Sequence, residues 1–562
     1  MPTEPSSPLA AVERLKVVFG GEAASRKLAL LHRLEQLRLP RASEVLRLHE
    51  VLCFLQAYPD NAAVLSQVER MLSAFDRRLD LRRHARKLSD SGIAGTEIRF
   101  GFFAPTARWL AQRWPRQLSI DWTEFENRER LEPWLALLAH PAEVPALDEY
   151  DLDPRQWIVR LKGDGETDAA FLIRRFAELG MDPEVHEAVY DDLDPPIRLA
   201  PGTETPSRTR AKWLRARVTW QRSPLSRARP RVPQDILEPP LSVRPVSRRD
   251  GQRLIDVARE SMVTRSRDLD VFSYGDPRDV RLVDCGAGLQ FACIGAIPER
   301  RLLLEAVYGY LTLKNGVPVG YVLSSALFGS SEIAYNVFET FRGAEAGPIY
   351  GRVMAMIRHL FGSDTFTIVP YQLGEGNDEA IESGAWWFYQ KVGFRPRDSA
   401  ARRLMRRELA RMRRDPEHRS SASVLRRLAR ANLFLHLGRP RADVIGELPL
   451  ASVGLATMRY LAARFGSNRE RARQACADQA AVRLGVRSFA GWTRGERLAW
   501  ERWAPLVLSL SGVESWSRAE RRSLVEVARA KGGLRESDFV RRFDAHRKLR
   551  RAIRSLALRE PA

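Results

Sequence analysis

The segment from Asn377 to Phe394, NDEAIESGAWWFYQKVGF, restricts the possible folds of this chain more than any other stretch. Its apolar side chains recur at helical intervals, and Gly393-Phe394 ends the helix and leads towards a further strand. The residues just before it, Thr365–Pro370, have the β-branched and aromatic composition of a buried strand. We therefore predict a compact α/β unit of strand, loop, helix and strand.

A series of strands and helices precedes this unit. Asn315-Gly316 lies between two alternating runs, and this dipeptide is the strongest short-range signal for a β-hairpin. The predicted elements, in chain order, are a strand at Leu241–Val246, a helix from Gly251 to about Ser261, strands at Tyr308–Lys314, Val317–Leu323 and Ile333–Phe338, and a helix at Pro348–Phe361.

The two ends of the chain have helical periodicity. Residues 1–150 are predicted to be an α-helical region, and residues 401–562 a basic α-helical region with helices at Ala401–Arg414, Ser423–Leu437 and Arg541–Leu556. Residues 151–239 are predicted to be a small mixed segment, with a strand at Gln156–Leu161 and a helix at Asp168–Leu179. A Pro- and Arg-rich stretch follows, as a linker or an irregular wrapping segment.

The positive charge is concentrated at the C-terminal end. Residues 401–562 contain 37 Lys and Arg against 16 Asp and Glu, which accounts for the whole net charge of +21. Such asymmetry predicts attraction to nucleic acid or another anionic surface. Only nine of the 91 basic residues are Lys, so a general bias towards Arg is the alternative explanation.

Length and composition narrow the class of protein. A chain of 562 residues is too long for one ordinary core, so two to four domains are expected. No run reaches the roughly 18 apolar residues that span a bilayer, and the N-terminus has no apolar core of signal-peptide type. We predict a cytoplasmic protein with no membrane partner, and the nine His show no metal-ligand spacing.

Residues of about 240–400 resemble the GNAT superfamily of acetyl-CoA-dependent N-acetyltransferases. The shared features are the order of the elements and, in the segment ending at Phe394, an Ala, an aromatic-Tyr pair, a Lys and a Gly-Phe. The resemblance implies an α/β (α+β) fold with a mixed, mostly antiparallel sheet, here flanked by helical regions. It also implies acetyl-CoA as acyl donor and an amine as acceptor, and Tyr389 as the general acid for the departing thiolate.

The resemblance also implies where the coenzyme binds. A Gly-rich turn before a helix presents free backbone N–H groups and the positive end of the helix dipole to a pyrophosphate. The residues placed there are Arg342, Gly343, Ala344, Ala346 and Gly347, and Asn377 and Ser383 are placed near the pantetheine arm. Glu345 stands where the family pattern has Gly.

A general base for the acceptor amine is expected on or just after the strand that ends at Phe338. Glu339 lies at this strand end, where the family separates two strands around the thioester, and Glu332 is a weaker candidate. Two alternatives to an N-acyltransferase stay open. One is a non-catalytic scaffold with a GNAT-like fold, which Glu345 favours, and the other is a nucleic-acid-binding protein that uses residues 401–562.

Overall fold

Helices dominate the N-terminal part of the chain in a computed structural model that describes residues 7–559. The helices before residue 150 are α1 (Pro8–Leu15), α2 (Ala23–Gln36), α3 (Ala42–Ala57), α4 (Ala62–Ser73), α5 (Leu79–His84), α6 (Ala104–Arg113), α7 (Glu132–Leu138) and α8 (Val144–Glu149). Two short strands, β1 (Ile98–Gly101) and β2 (Leu118–Ile120), also lie here. The region is therefore mostly helical, with two short strands that the sequence pattern does not predict.

The next segment contains α9 (Pro154–Lys162), α10 (Asp168–Glu178), α11 (Pro183–Leu193), β3 (Pro196–Leu199) and α12 (Gln234–Leu237). The predicted helix at Asp168–Leu179 is confirmed as α10, but the predicted strand at Gln156–Leu161 is wrong because these residues form α9. Asp153 accepts from the backbone N–H of Gln156 at 2.9 Å, and the Gln156 side chain accepts from the Asp153 N–H at 3.2 Å. This capping box, followed by Pro154, starts a helix despite the β-branched residues within it.

The Pro- and Arg-rich stretch after β3 wraps around the rest of the protein. Trp213 is buried, and its backbone N–H donates to the carbonyl of Gly316 at 2.8 Å. Gln221 donates in the same way to the carbonyl of Pro59 at 2.8 Å. Of the two expectations for this stretch, the structure supports the wrapping segment.

A nine-stranded sheet forms the centre of the protein. Its strands are β4 (Ser242–Pro245), β5 (Gly275–Asp284), β6 (Leu289–Ala296), β7 (Ala306–Lys314), β8 (Val317–Leu327), β9 (Ser330–Val337), β10 (Thr365–Ile368), β11 (Arg395–Pro396) and β12 (Leu433–His436). The order across the sheet is β11-β12-β10-β9-β8-β7-β6-β5-β4. All neighbouring pairs are antiparallel except β9 and β10, which are parallel.

Local chemistry explains the hairpin at the centre of this sheet. Asn315 and Gly316 connect β7 to β8 and have φ angles of 50° and 80°. A two-residue turn with positive φ at both positions matches the twist of the flanking strands. The hairpin predicted from Asn-Gly is therefore confirmed.

Helices α13 (Arg248–Val263) and α14 (Asp270–Ser273) precede β5, and α15 (Ala346–Phe361) connects β9 to β10. After β10 come α16 (Pro370–Leu373), α17 (Asp378–Glu382) and α18 (Ala385–Val392). The segment Asn377–Phe394, predicted as one helix, is thus two helices. Gly384 separates them with a φ of 66°, a left-handed conformation that suits glycine.

The C-terminal region is helical apart from one strand. Its helices are α19 (Ser399–Arg414), α20 (Ala422–Ala429), α21 (Leu450–Phe465), α22 (Arg469–Leu484), α23 (Arg494–Ser509), α24 (Arg518–Lys531), α25 (Glu536–Ala545) and α26 (Arg547–Arg559). The predicted helix at Ser423–Leu437 stops at Ala429, and β12 follows between β10 and β11. The sheet therefore extends beyond residue 400, and the predicted helix at Arg541–Leu556 is divided at His546.

Both faces of the sheet are covered. On one face, residues such as Tyr308, Tyr310 and Val322 share a core with α15, α18 and the C-terminal helices. On the other, residues such as Leu311 and Leu313 share a core with α13 and the first helices of the chain. Strand alternation directs successive side chains to opposite cores. Within residues 7–559, none of the helices has the length and apolarity needed to cross a membrane.

Candidate functional site

A cleft of about 560 Å³ opens where β9 and β10 separate. The parallel pairing of the two strands ends at Glu332 and Thr367, while β9 continues to Val337. Beyond that point β9 pairs only with β8, and Tyr335, Asn336 and Val337 line the cleft. On the edge of β9 that faces away from β8, Arg342 Nε donates to the Val337 carbonyl at 3.4 Å, and the Tyr335 backbone contacts the Tyr389 phenol. This edge has no strand partner, but it is only partly available to a ligand.

The turn before α15 forms one end of the cleft. A single turn of 3-10 helix, Glu339–Phe341, follows β9, and Gly343 then has a φ of 79°. Arg342, Gly343 and Ala346 line the cleft. Because α15 begins at Ala346, its free N–H groups and the positive end of its dipole lie at this position. This arrangement suits an anionic group.

Two residues predicted to bind coenzyme lie outside the cleft lining. Ala344 is buried, and its contacts are in the core beneath the turn. Gly347 faces the wrapping segment, since a Cβ at this position would lie 2.6 Å from the carbonyl oxygen of Ala228. The glycine at 347 is therefore explained by close packing of two chain segments.

Glu345 points away from the cleft. Its carboxylate accepts from the Lys314 Nζ at 2.9 Å, and the Lys314 side chain is only 4% exposed. The ammonium also lies 5.0 Å from the centre of the Tyr58 ring. The negative charge that departs from the family pattern is thus compensated by a buried cation on β7, and Glu345 is not among the cleft-lining residues.

A chain of ionic contacts crosses the mouth of the cleft. The Arg342 guanidinium binds one oxygen of Glu379 on α17, and Arg267 binds the other oxygen at 3.3 Å. Arg267 also donates to the hydroxyl of Tyr321 at 3.0 Å. The cation best placed for an incoming anion is therefore occupied by a carboxylate of the protein.

Asn377 and Ser383 both line the cleft and also cap α17. The Asn377 side chain accepts from the Ala380 N–H at 3.2 Å and donates to the Tyr371 carbonyl at 3.2 Å. The Ser383 hydroxyl donates to the Ala380 carbonyl at 3.3 Å. Each side chain thus has a structural role in addition to its position in the cleft.

Tyr389 lies in the cleft wall, on α18. It belongs to a group of aromatic rings, with Tyr350 at 5.6 Å and Phe394 at 5.8 Å between ring centres. Burial raises its pKa above the ordinary value, while a contact with the backbone of Tyr335 partly opposes the shift. The phenol therefore stays protonated at neutral pH, as a proton donor must.

The two candidate bases differ in environment. Glu339 is exposed at the start of the 3-10 turn and does not line the cleft. Glu332 does not line the cleft either. It lies on β9 at the point where the parallel pairing ends, and burial together with the charge of Glu305 raises its pKa to about 7. A carboxyl group with this pKa exchanges a proton near neutral pH.

The N-terminal region supports the turn that holds Arg342. Glu50 on α3 binds Thr340 and Arg208, and Arg208 donates to the Thr340 hydroxyl at 2.9 Å. Burial opposes ionisation of Glu50, but hydrogen bonds and the nearby cations lower its pKa to about 2. The turn is thus held by a charged network that joins three distant parts of the chain.

Several cleft residues were missed by the sequence analysis: Tyr335, Asn336, Val337, Gln372, Glu379, Ala380, Glu382, Ala385 and Phe388. The strand predicted at Ile333–Phe338, next to the proposed pyrophosphate turn, could have indicated the first three. Nothing in the sequence pairs Glu379 with Arg342. Within residues 7–559, no group of three or more His, Cys, Asp or Glu side chains is placed to hold a metal ion.

A scan against protein-family models, a search of curated proteins and a search of solved structures each found no match to this chain.

Proposed function

We propose that this protein is an acyl-CoA-dependent N-acyltransferase, with acetyl-CoA as donor and an amine as acceptor. The observation that carries the proposal is the cleft bordered by the end of β9, the turn before α15, and α16 to α18. Six predicted site residues line this one space: Arg342, Gly343, Ala346, Asn377, Ser383 and Tyr389. These six were selected from sequence alone, from segments up to 47 residues apart. The GNAT-like arrangement of the central sheet belongs to the same proposal.

The residues of the cleft fit the chemical groups of a coenzyme A thioester. The turn at Arg342–Gly343 and the start of α15 offer a cation and backbone N–H groups to the pyrophosphate. The end of β9 has no strand partner on one edge, and the backbone groups there that Arg342 and Tyr389 do not engage can pair with the amides of the pantetheine arm. Glu345 does not repel the phosphates from within the cleft, because its carboxylate is paired with Lys314 outside it.

The transfer needs no covalent intermediate on the protein. The neutral amine attacks the thioester carbonyl, the carbon–sulfur bond breaks, and the thiolate takes the phenolic proton of Tyr389. The proton lost by the amine goes to Glu332 or Glu339 through water, because neither carboxylate lines the cleft. Because burial keeps Tyr389 protonated, it can serve as the acid at neutral pH.

Isothermal titration of the full chain with acetyl-CoA tests the proposal. We expect saturable binding of one molecule per chain, lost in Ser383→Trp, because residue 383 is exposed at the cleft and a large ring there fills it. Ser423→Trp, at an exposed position on α20, is the matched control and keeps the wild-type affinity. Absence of heat at millimolar ligand would overturn the proposal.

A non-catalytic scaffold is the second candidate, favoured by the contact between Arg342 and Glu379. In that case the cleft is held shut by the protein's own carboxylate and acetyl-CoA does not bind. The same titration separates the two candidates.

A further inference from the structure

The surface of α19 and α20 carries a dense group of arginines, which we call the arginine face. Its members are Arg402, Arg403, Arg406, Arg407, Arg413 and Arg414 on α19, Arg427 on α20, and Arg430 at the C-cap of α20. All eight are exposed. Among residues 7–559, none of them forms an ion pair with a carboxylate, although Arg402 and Arg413 donate to backbone carbonyls.

The positive charge of this face is not balanced locally. Glu408, the acidic residue within α19, is buried, and Arg411 at 3.0 Å, His418 at 3.1 Å and Ser420 at 2.7 Å bind its carboxylate. The opposite side of α19 packs into the core through residues such as Leu404 and Met405. The arginines are therefore fixed in orientation by the core and directed outwards.

This face lies next to the cleft. The Trp386 indole of α18 donates to the Leu428 carbonyl of α20 at 3.2 Å, and Arg426 of α20 binds Asp378 of α17 at 2.9 Å. α20 contacts α19, α17 and α18. Since Ser383 caps α17 and Tyr389 lies on α18, the helices of the arginine face neighbour those of the cleft wall.

The guanidinium groups of the arginine face, and the absence of apolar side chains among its eight described residues, favour a polyanion over a membrane as its partner. A helix of 16 residues is about 24 Å long, and a nucleic-acid duplex presents many phosphates over that length. Guanidinium groups bind phosphate oxygens in pairs. A membrane-binding helix needs apolar side chains for the lipid, but those of α19 are in the protein core.

We propose that the arginine face binds double-stranded nucleic acid through its phosphodiester backbone, independently of base sequence. Its position also means that bound nucleic acid lies beside the proposed acyl-transfer site. Only this second statement rests on the proposed function.

The test is the salt dependence of binding. Full-length protein is titrated into labelled DNA and RNA duplexes of about 20 base pairs, between about 50 and 200 mM salt. The variant is Arg403→Gln/Arg406→Gln/Arg407→Gln. The control is Arg82→Gln/Arg83→Gln/Arg86→Gln, which removes the same charge from exposed positions of the N-terminal region.

We expect the α19 variant to bind at least about tenfold more weakly and to flatten the slope of log affinity against log salt by about 2 to 3, because each lost phosphate contact removes about one unit. The control should stay within about twofold of wild type. Binding of either duplex, with this difference between the two variants, supports the inference. Absence of binding, equal losses in both variants, or binding to anionic vesicles with the same dependence on these arginines overturns it. Acetyl-CoA affinity, measured on the same variants, reports separately on the cleft.

Discussion

Replacing Glu379 by Gln should increase the affinity for acetyl-CoA. Glu379 binds Arg342 and Arg267 across the mouth of the cleft, and its side chain is 46% exposed. A phosphate group that binds Arg342 must displace this carboxylate. Gln keeps the size of the side chain and removes its charge, so the change leaves the cleft shape intact.

Two contributions set the size of the effect. An exposed ion pair contributes about 0.2 to 1 kcal/mol, which the incoming phosphate no longer has to overcome. Repulsion between a carboxylate and two phosphate charges at about 7 Å is about 1 kcal/mol in water, and salt reduces it to about half. The sum is about 1 kcal/mol, which corresponds to affinity higher by about fivefold.

Calorimetric titration with acetyl-CoA measures this change directly. Asp378→Asn is the matched control, because Asp378 is the neighbouring residue but pairs with Arg426 and does not line the cleft. We expect wild-type affinity for this control. Unchanged or weaker acetyl-CoA binding in Glu379→Gln would show that Glu379 does not compete with the coenzyme for Arg342.

Three further changes probe the site and its support. Tyr389→Phe should lower kcat by about 100-fold or more in a thiol-release assay and leave acetyl-CoA affinity near wild type, since only proton donation is lost. Glu332→Gln should raise the denaturant midpoint relative to wild type at about pH 8 but not at about pH 5. The native pKa of about 7 exceeds the unfolded value of 4.5, so wild type loses stability as pH rises through this window. Lys314→Met should destabilise the fold by about 2 to 4 kcal/mol in denaturant unfolding, because it leaves the Glu345 carboxylate without its cation, and Lys314→Met/Glu345→Gln should recover most of the loss.

The parts of the fold predicted from sequence are those that local chemistry determines. Asn315-Gly316 specifies its turn through backbone conformation alone, and Gly362, with a φ of 74°, ends α15 where predicted. At Gln156–Leu161 the β-branched composition favours a strand, but the equally local capping box of Asp153 and Gln156 starts a helix.

The parts that were missed depend on contacts between distant residues. Strand β12 has only four residues and follows a helix closely, so its sequence shows no separate strand pattern. It is a strand because it pairs with β10 and β11. The orientation of Glu345 depends on Lys314, and the engagement of Arg342 depends on Glu379. A pattern along the chain could place these residues near the site but could not show which way their side chains point.

Hydrogen exchange in the presence of acetyl-CoA is the sharpest test of coenzyme binding in the cleft, because it locates the ligand as well as detecting it. We predict slower exchange in the peptides that cover Tyr335–Val337, Arg342–Ala346 and the region from Asn377 to Tyr389, with little change in the C-terminal helices beyond β12. Protection confined to other parts of the protein, or no protection at saturating acetyl-CoA, would contradict the account.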